Sequence, residues 1–281
     1  MKKIDLLVAD LDGTLLDSKV RVTDRVLDAL ARLAESSIRF LPATGRRFPR
    51  AIEIFEQMDY DGPAIVSGGA VIKEVRSGQT IRIADFPQVC LQEILALLRE
   101  IGHSPVLMTD THDQGFDFYA ATDRFSTPEM DGYFAINSHR ARIDPSILEN
   151  PPEGIITGYL MGTQQKMESI AAELHARLDG RFHTHVLPSP SYNGWLCELV
   201  PLGGSKWDAI AWLAQKWEIE SDQICAIGDD MNDLVMIRAA GMGVAMENGR
   251  AELKSAADRI APSNDADGVA EVIDWLLTDK K

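Results

Sequence analysis

The chain has 281 residues, 45% hydrophobic and 25% charged, enough apolar material for two domains and far from the composition of a disordered segment. A formal net charge of −15, with no Lys/Arg run interleaved with aromatics, weighs against nucleic acid and anionic membrane as partners. A small phosphorylated metabolite stays open, because local charge governs its binding. The three cysteines, Cys90, Cys197 and Cys225, stand at wide spacing without a C-x-x-C pair. Neither a signal-peptide pattern nor an apolar run near the roughly 18 residues of a membrane span occurs. The expectation is a cytoplasmic chain with buried, reduced thiols.

Residues 4–9, apolar but for Asp5, show the pattern of a strand covered on both faces, and the run ends abruptly at Asp10. Thr23 stands where an N-cap would, ahead of Val26, Leu27, Leu30 and Leu33 at helical spacing, and residues 38–43 are apolar again but for Arg39. A helical stretch over about 46–58 leads to a third apolar run, 64–66, closed by Gly68-Gly69. This alternation predicts a doubly wound parallel sheet. Residues 71–75 and 80–84 then flank Arg76-Ser77-Gly78-Gln79, a hairpin signal instead of a crossover.

From residue 85 to 197 the pattern is less regular. Helical periodicity appears over 89–101 and 166–178, and strands read over 116–121, 158–161 and 183–187. The alternation returns with a helix over 206–217, a strand over 224–227, a helix from about Asn232, a strand over 243–245 and a terminal helix near 269–277. The fold expected is α/β: a mostly parallel, Rossmann-like core built from 1–84 and 198–281, with an inserted α+β cap domain over 85–197.

Asp10-Leu11-Asp12-Gly13-Thr14-Leu15 follows the first strand directly, at the end where open α/β sheets bind ligands. Asp-Gly is also a common turn dipeptide, so this segment alone does not separate a turn from a site. Gly228-Asp229-Asp230-Met231-Asn232-Asp233 follows the strand over 224–227, so a second acidic cluster reaches the same sheet edge. Hard oxygen ligands of this kind suit Mg²⁺, which takes one or two carboxylates and leaves room for water and phosphate. Thr44-Gly45-Arg46 and Gly203-Gly204-Ser205-Lys206 would add a hydroxyl and an ammonium for phosphoryl oxygens. Singly, these are a helix cap and a surface lysine; in this order, at successive strand ends, the segments are specific together.

In these segments the sequence resembles the haloacid dehalogenase superfamily of phosphatases, within it the Cof-type branch, whose large α+β cap is inserted after the third core strand. The resemblance implies that Asp10 is a nucleophile forming an aspartyl-phosphate and that Asp12 is the acid and base. It implies that Thr44, Gly45, Lys206 and Asn232 hold the phosphoryl group. Mg²⁺ would be bound by Asp10, Asp229 and the backbone carbonyl of Asp12, with Asp233 as a further ligand or as a residue orienting one. Two departures stand out: Gly68-Gly69-Ala70 replaces the family's usual Asn-Gly-Ala, and Pro201-Leu202-Gly203-Gly204-Ser205-Lys206-Trp207 departs from its Pro-Lys-Gly and post-lysine Gly. Both bear on the substrate pocket and cap hinge, and neither touches a catalytic group.

The implied activity is hydrolysis of a small phosphorylated metabolite, a sugar phosphate first and a flavin or pyridoxal phosphate next. A sugar phosphomutase and a non-catalytic phosphate sensor are the rivals; the sensor has no use for a nucleophile beside an acid. The pair His183 and His185 shares a strand face and reads as solvent-facing, without an acidic partner in register. The loop 189–194 and Met108, Asp110 and His112 are candidates for lining a pocket, and Trp207, Trp212 and Trp217 read as packing.

Overall fold

The computed structural model describes residues 3–178, 180–189 and 194–278. Two compact units result, one being Ile83–Gly204 and the other the chain on either side of it.

The flanking unit opens with β1 (Leu6–Ala9), every residue of which is buried, as its apolar run requires. Next comes α1 (Asp24–Ala34), started by Thr23, whose hydroxyl accepts the Val26 N–H at 3.3 Å. Then follow β2 (Arg39–Pro42), α2 (Phe48–Gln57) and β3 (Pro63–Val66). β4 (Val71–Glu74) folds back antiparallel on β3, and β5 (Thr80–Ile83) lies beside β4. Gly78 takes the left-handed conformation, φ +69°, in the turn between β4 and β5.

In the inserted unit the order is α3 (Gln88–Glu100), β6 (Val106–Met108), β7 (Phe118–Ala120), α4 (Pro128–Asn137), β8 (Ala141–Ile143), β9 (Thr157–Gly162), α5 (Gln164–Leu178), β10 (Phe182–Pro188) and β11 (Trp195–Pro201). Its six strands are ordered β10-β11-β9-β6-β7-β8, antiparallel except for β7 with β8. Leu91, Ile94, Leu95 and Leu98 of α3 and Met167, Ile170 and Leu174 of α5 pack with Leu107, Leu160, Cys197 and Leu199 of the strands. Each such side chain fully withdrawn from water contributes roughly 1.5–3 kcal/mol.

The chain then continues through α6 (Lys206–Lys216), β12 (Ile224–Gly228), α7 (Leu234–Ala239), β13 (Met242–Met246), α8 (Ala251–Ala256), β14 (Arg259–Ala261) and α9 (Gly268–Thr278). The parallel sheet runs β14-β13-β12-β1-β2, and a parallel bridge from Ala43 to Ile65 brings β3 alongside β2. In this order β1 and β12 adjoin, each leading to strands on its own side. The reversal of strand order there opens a crevice at their carboxyl ends, where sheets of this kind take ligands.

Sequence and structure differ in places. The return to the flanking unit, read at 198, falls inside β11, whose residues 195–199 pair with β9; the division lies at Gly204. Residues 196–200 are apolar but for Glu198, whose charge hides the strand from a reading by apolar pattern alone. α4 escapes periodicity because Gly132 interrupts it and its apolar residues do not gather on one face: Met130 and Phe134, one turn apart, are buried, while Ile136 is exposed. β14 has only three residues, too few for a pattern. The helix expected from Asn232 starts at Leu234, after a short 3₁₀ turn over Met231–Asp233. All three cysteines are buried free thiols, and burial pushes Cys197 and Cys225 up to about 12. Among the described residues no helix is long and apolar enough to cross a membrane.

Candidate active site

Asp10 is the first residue past β1, where its N–H still donates to the Ile227 carbonyl at 3.0 Å, so the sheet itself fixes its backbone. Its side chain lies at the β1–β12 crevice and the residue is only 6% exposed. The chain then turns through Gly13, φ +72°, and closes with the Leu16 N–H donating to the Leu11 carbonyl at 2.9 Å. A Cβ on Gly13 would collide with the Asp229 carboxylate, so glycine is demanded by both conformation and space. Thr14, buried next to it, donates its hydroxyl hydrogen to Asp229 Oδ1 at 3.2 Å.

The second acidic segment is organised by Asp233, which has no exposed surface. Its Oδ2 accepts the backbone N–H groups of Asp229 at 3.0 Å and Asp230 at 3.2 Å, tying down the turn after β12. Its Oδ1 accepts from Lys206 Nζ at 2.6 Å, and the same ammonium donates to Asp10 Oδ1 at 2.7 Å. Lys206, 1% exposed, thus links the ends of β1 and β12 from the first turn of α6. Ser205 starts that helix with a reciprocal cap, its hydroxyl accepting the Asp208 N–H. Gly69, φ +112°, lies against this start; any Cβ there would strike the Ser205 carbonyl. The second glycine of Gly68-Gly69-Ala70 is therefore what lets the chain after β3 pass the lysine's helix.

The electrostatics are those of a site short of positive charge. Burial drives the Asp10 carboxyl well above the ordinary carboxylate range; Lys206 pulls it back, while Asp233 and Asp229 push it further. Burial, then Asp233, raises Asp229 to about 7. Burial alone would lower the Lys206 ammonium, but Asp10 and Asp233 outweigh it and hold it above its ordinary value. One oxygen from each of Asp10, Asp229 and Asp233 lies within 4.8 Å of the others. Asn232 Oδ1 is buried without a hydrogen-bond partner. An all-oxygen donor set, crowded and under-compensated by one ammonium, fits a hard divalent cation.

At the ends of β2 and β1 lies a more open part. Thr44, fully buried, donates its N–H to the Ile65 carbonyl at 2.9 Å, and its hydroxyl accepts the Arg46 N–H at 3.1 Å, leaving the hydroxyl hydrogen to donate elsewhere. A Cβ on Gly45 would come 3.9 Å from Asn232 Nδ2, so this glycine and that amide are close neighbours. Asp12 differs from the other carboxylates: its side chain is 53% exposed and is clasped by the Arg46 guanidinium, Nε to Oδ2 at 2.7 Å and Nη2 to Oδ1 at 2.5 Å.

Sequence reasoning named Arg46 without a partner for it, and the loop after β13 was missed altogether. Asn248 Nδ2 donates to the Gly13 carbonyl at 2.8 Å, the Arg250 N–H donates to the Asp229 carbonyl at 2.9 Å, and a Cβ on Gly249 would come 2.9 Å from that same carbonyl. The signal present was Asn248-Gly249 after an apolar strand, at the same sheet edge as the acidic segments.

In the inserted unit His185 is not left to solvent: Glu198 stands opposite it on β11 and accepts from its Nδ1 at 3.1 Å, while Tyr159 donates to the same carboxylate at 3.2 Å. That acidic partner lies 13 residues away in sequence, so only strand pairing brings it into register. His183 is exposed. His112 pairs with Asp117 at 2.7 Å, and Asp117 also accepts from Arg140, while Met108 is buried. Trp207, Trp212 and Trp217 pack against the flanking unit's core. Of the loop 189–194, residues 190–193 lie outside the described residues.

The site is thus a cluster of buried carboxylates and one lysine at the switch point of a parallel α/β sheet. Residues 7–273 match the haloacid dehalogenase-like hydrolases, and the chain belongs to this family. It is 29% identical to Phosphatase YwpJ of Bacillus subtilis, over 97% of this chain and 99% of that one. It is also 29% identical, over 96% of its own length, to Endoribonuclease YBEY, chloroplastic, of Arabidopsis thaliana, but spans only 46% of that protein. A crystal structure of a haloacid dehalogenase-like hydrolase from Bacteroides thetaiotaomicron superposes with a TM-score of 0.73 at 28% identity, covering 98% of this chain and 100% of that one.

Proposed function

We propose that this phosphatase hydrolyses a small phosphorylated metabolite, a sugar phosphate foremost, through an aspartyl-phosphate on Asp10. The observation that carries the reading is Lys206, an ammonium buried between Asp10 and Asp233. It fixes the Asp10 carboxylate by one oxygen, so that the other is presented in a constant direction at the crevice, as a nucleophile needs.

In the first step that oxygen attacks phosphorus, and the bond to the leaving oxygen breaks. The leaving alkoxide takes a proton from the Asp12 carboxyl. In the second step water attacks the same phosphorus, gives its proton to Asp12, and the bond to Asp10 breaks, releasing inorganic phosphate and restoring both residues. Thr44 through its hydroxyl, Gly45 through its N–H, Lys206 and the Asn232 amide hold the phosphoryl oxygens and stabilise the charge spread over them. Asp10, Asp229 and the Asp12 carbonyl would hold Mg²⁺, with Asp233, already committed to Lys206 and two backbone N–H groups, orienting the set. When bound, the ion supplies the positive charge that this carboxylate cluster and a phosphate dianion together lack.

A second reading within the same chemistry is a cofactor ester, since a relative of 25% identity over 95% of this chain is named pyridoxal phosphate phosphatase. The deciding measurement is phosphate release from sugar and cofactor phosphates with and without Mg²⁺, for the native chain and Asp10→Asn. Metal-dependent release lost in the variant supports the reading, and the ranking of esters chooses between the two classes. Release that survives Asp10→Asn sinks it.

A further inference from the structure

Asp12 poses a problem that the buried residues do not. A proton-transferring carboxyl acts only if its oxygen reaches the leaving group in a narrow range of positions, and misplacement by about 1 Å costs on the order of 10²-fold. Asp10 and Asp233 are held by burial and by a shared ammonium. Asp12 is half exposed and sits in extended backbone (φ −73°, ψ 126°) ahead of a left-handed glycine. Among the described residues its carboxylate has Arg46 as its hydrogen-bond partner, through both oxygens.

Arg46 is itself unusually constrained for a residue near a surface. Its N–H donates to the Thr44 hydroxyl at 3.1 Å, and its carbonyl accepts the Ser67 N–H at 2.8 Å, so its backbone is fixed on both sides. Its Nη1 donates to the Arg50 carbonyl at 3.3 Å, which orients the guanidinium plane from one turn of α2 away. All three guanidinium nitrogens are then engaged, Nε and Nη2 on Asp12 and Nη1 on α2. This is the geometry of a rigid fork offering a carboxylate one position, which a lysine could not reproduce. It is not that of a cation left open to receive phosphate. An ion pair this exposed contributes little to folding, so its two-point form has consequence for position above all.

We infer that Arg46 is a positioning residue for the phosphatase reaction: it clasps the exposed Asp12 carboxylate and so sets where Asp12 meets the leaving oxygen and the attacking water. The inference rests on the proposed role of Asp12. It differs from phosphate binding in what it predicts, because a residue that acts through Asp12 changes the rate of the chemical steps and leaves ester affinity alone.

The test is steady-state phosphate release by the native chain, Arg46→Ala, Arg46→Lys and Asp10→Asn, on the best ester of the panel, with melting temperatures recorded. Arg46→Ala should lose on the order of 10²-fold in kcat with KM within about twofold and an unchanged melting temperature. Free guanidinium at millimolar concentration should return part of that loss, and Arg46→Lys should remain impaired because an ammonium cannot make the two-point clasp. A rise in KM with kcat kept would make Arg46 a phosphate ligand and overturn the inference. So would unchanged kinetics, or a loss that guanidinium does not restore. Loss of release in Asp10→Asn with native-like Arg46 variants would retain the phosphatase reading while removing this one. A native chain that releases no phosphate from any ester would remove both.

Discussion

Two parts of one site are built on opposite terms. Asp10, Lys206 and Asp233 are almost entirely withdrawn from water and linked by bonds of 2.6 and 2.7 Å, whereas Asp12 and Arg46 form a clasp in which the carboxylate is 53% exposed. In the buried part geometry and stability cannot be separated, since an ammonium there holds charges that would otherwise be uncompensated. In the exposed part solvent screens the charges, and the clasp orders a side chain without holding the fold together. The expectation is that losing the buried ammonium costs stability, whereas losing the exposed clasp costs rate alone.

That contrast is open to attack from several sides. The largest expected effect is on chemistry: Asp10→Asn should lower phosphate release by at least roughly 10³-fold while, being nearly isosteric, leaving the melting temperature within a few degrees. Next comes Lys206→Met, which leaves Asp10 and Asp233 buried without their counter-ion; denaturant unfolding should show a loss of about 3–5 kcal/mol. A loss below about 1 kcal/mol would erase the distinction between the two parts. Gly69→Ala, forced to a left-handed backbone and into the Ser205 carbonyl, should cost about 1–3 kcal/mol and displace Lys206, so that activity falls with stability.

The thiols give a smaller effect with a definite pH sense. Burial raises Cys225 from its ordinary 9.0 to about 12, so the folded state binds its proton more tightly than the unfolded one. Its contribution to stability is complete below about pH 9 and is lost as pH rises from there towards 12. Native protein should therefore resist alkylation at about pH 8–9 and react at once when unfolded; rapid labelling of folded protein at Cys225 would show the strand to be more open than its burial implies. Ser205→Ala, which removes one half of the α6 cap, should cost about 1 kcal/mol and is the mildest probe of how firmly Lys206 is carried.

Much of this is legible in the sequence. Within residues 4–9 the stretch 6–9, like 224–227, announces a buried strand because a short, continuous apolar run has no polar face to turn to water and must be covered on both sides. The hairpin over 71–84 followed from turn chemistry at Ser77-Gly78, and Thr23 marked a helix start by a side chain suited to orphan N–H groups. The segments around Asp10, Thr44, Lys206 and Asp229 could be read together because each follows a strand or opens a helix, and order along the chain is a local property.

What the sequence could not contain is which of these carboxylates is buried and which is clasped. Asp10 and Asp12 are two residues apart and chemically identical, yet one is under Lys206, 196 residues on, and the other is held by Arg46. In the sequence His185 reads as a solvent residue, because Glu198 reaches it only through the pairing of β10 with β11. Asn248 and Gly249 entered the site by the adjacency of β13 to β12. Composition, turn residues and periodicity act within a few residues and so were determined by the sequence alone. Partnership across a sheet depends on register and strand order, which burial of the whole core selects at once, and only the tertiary structure decided it.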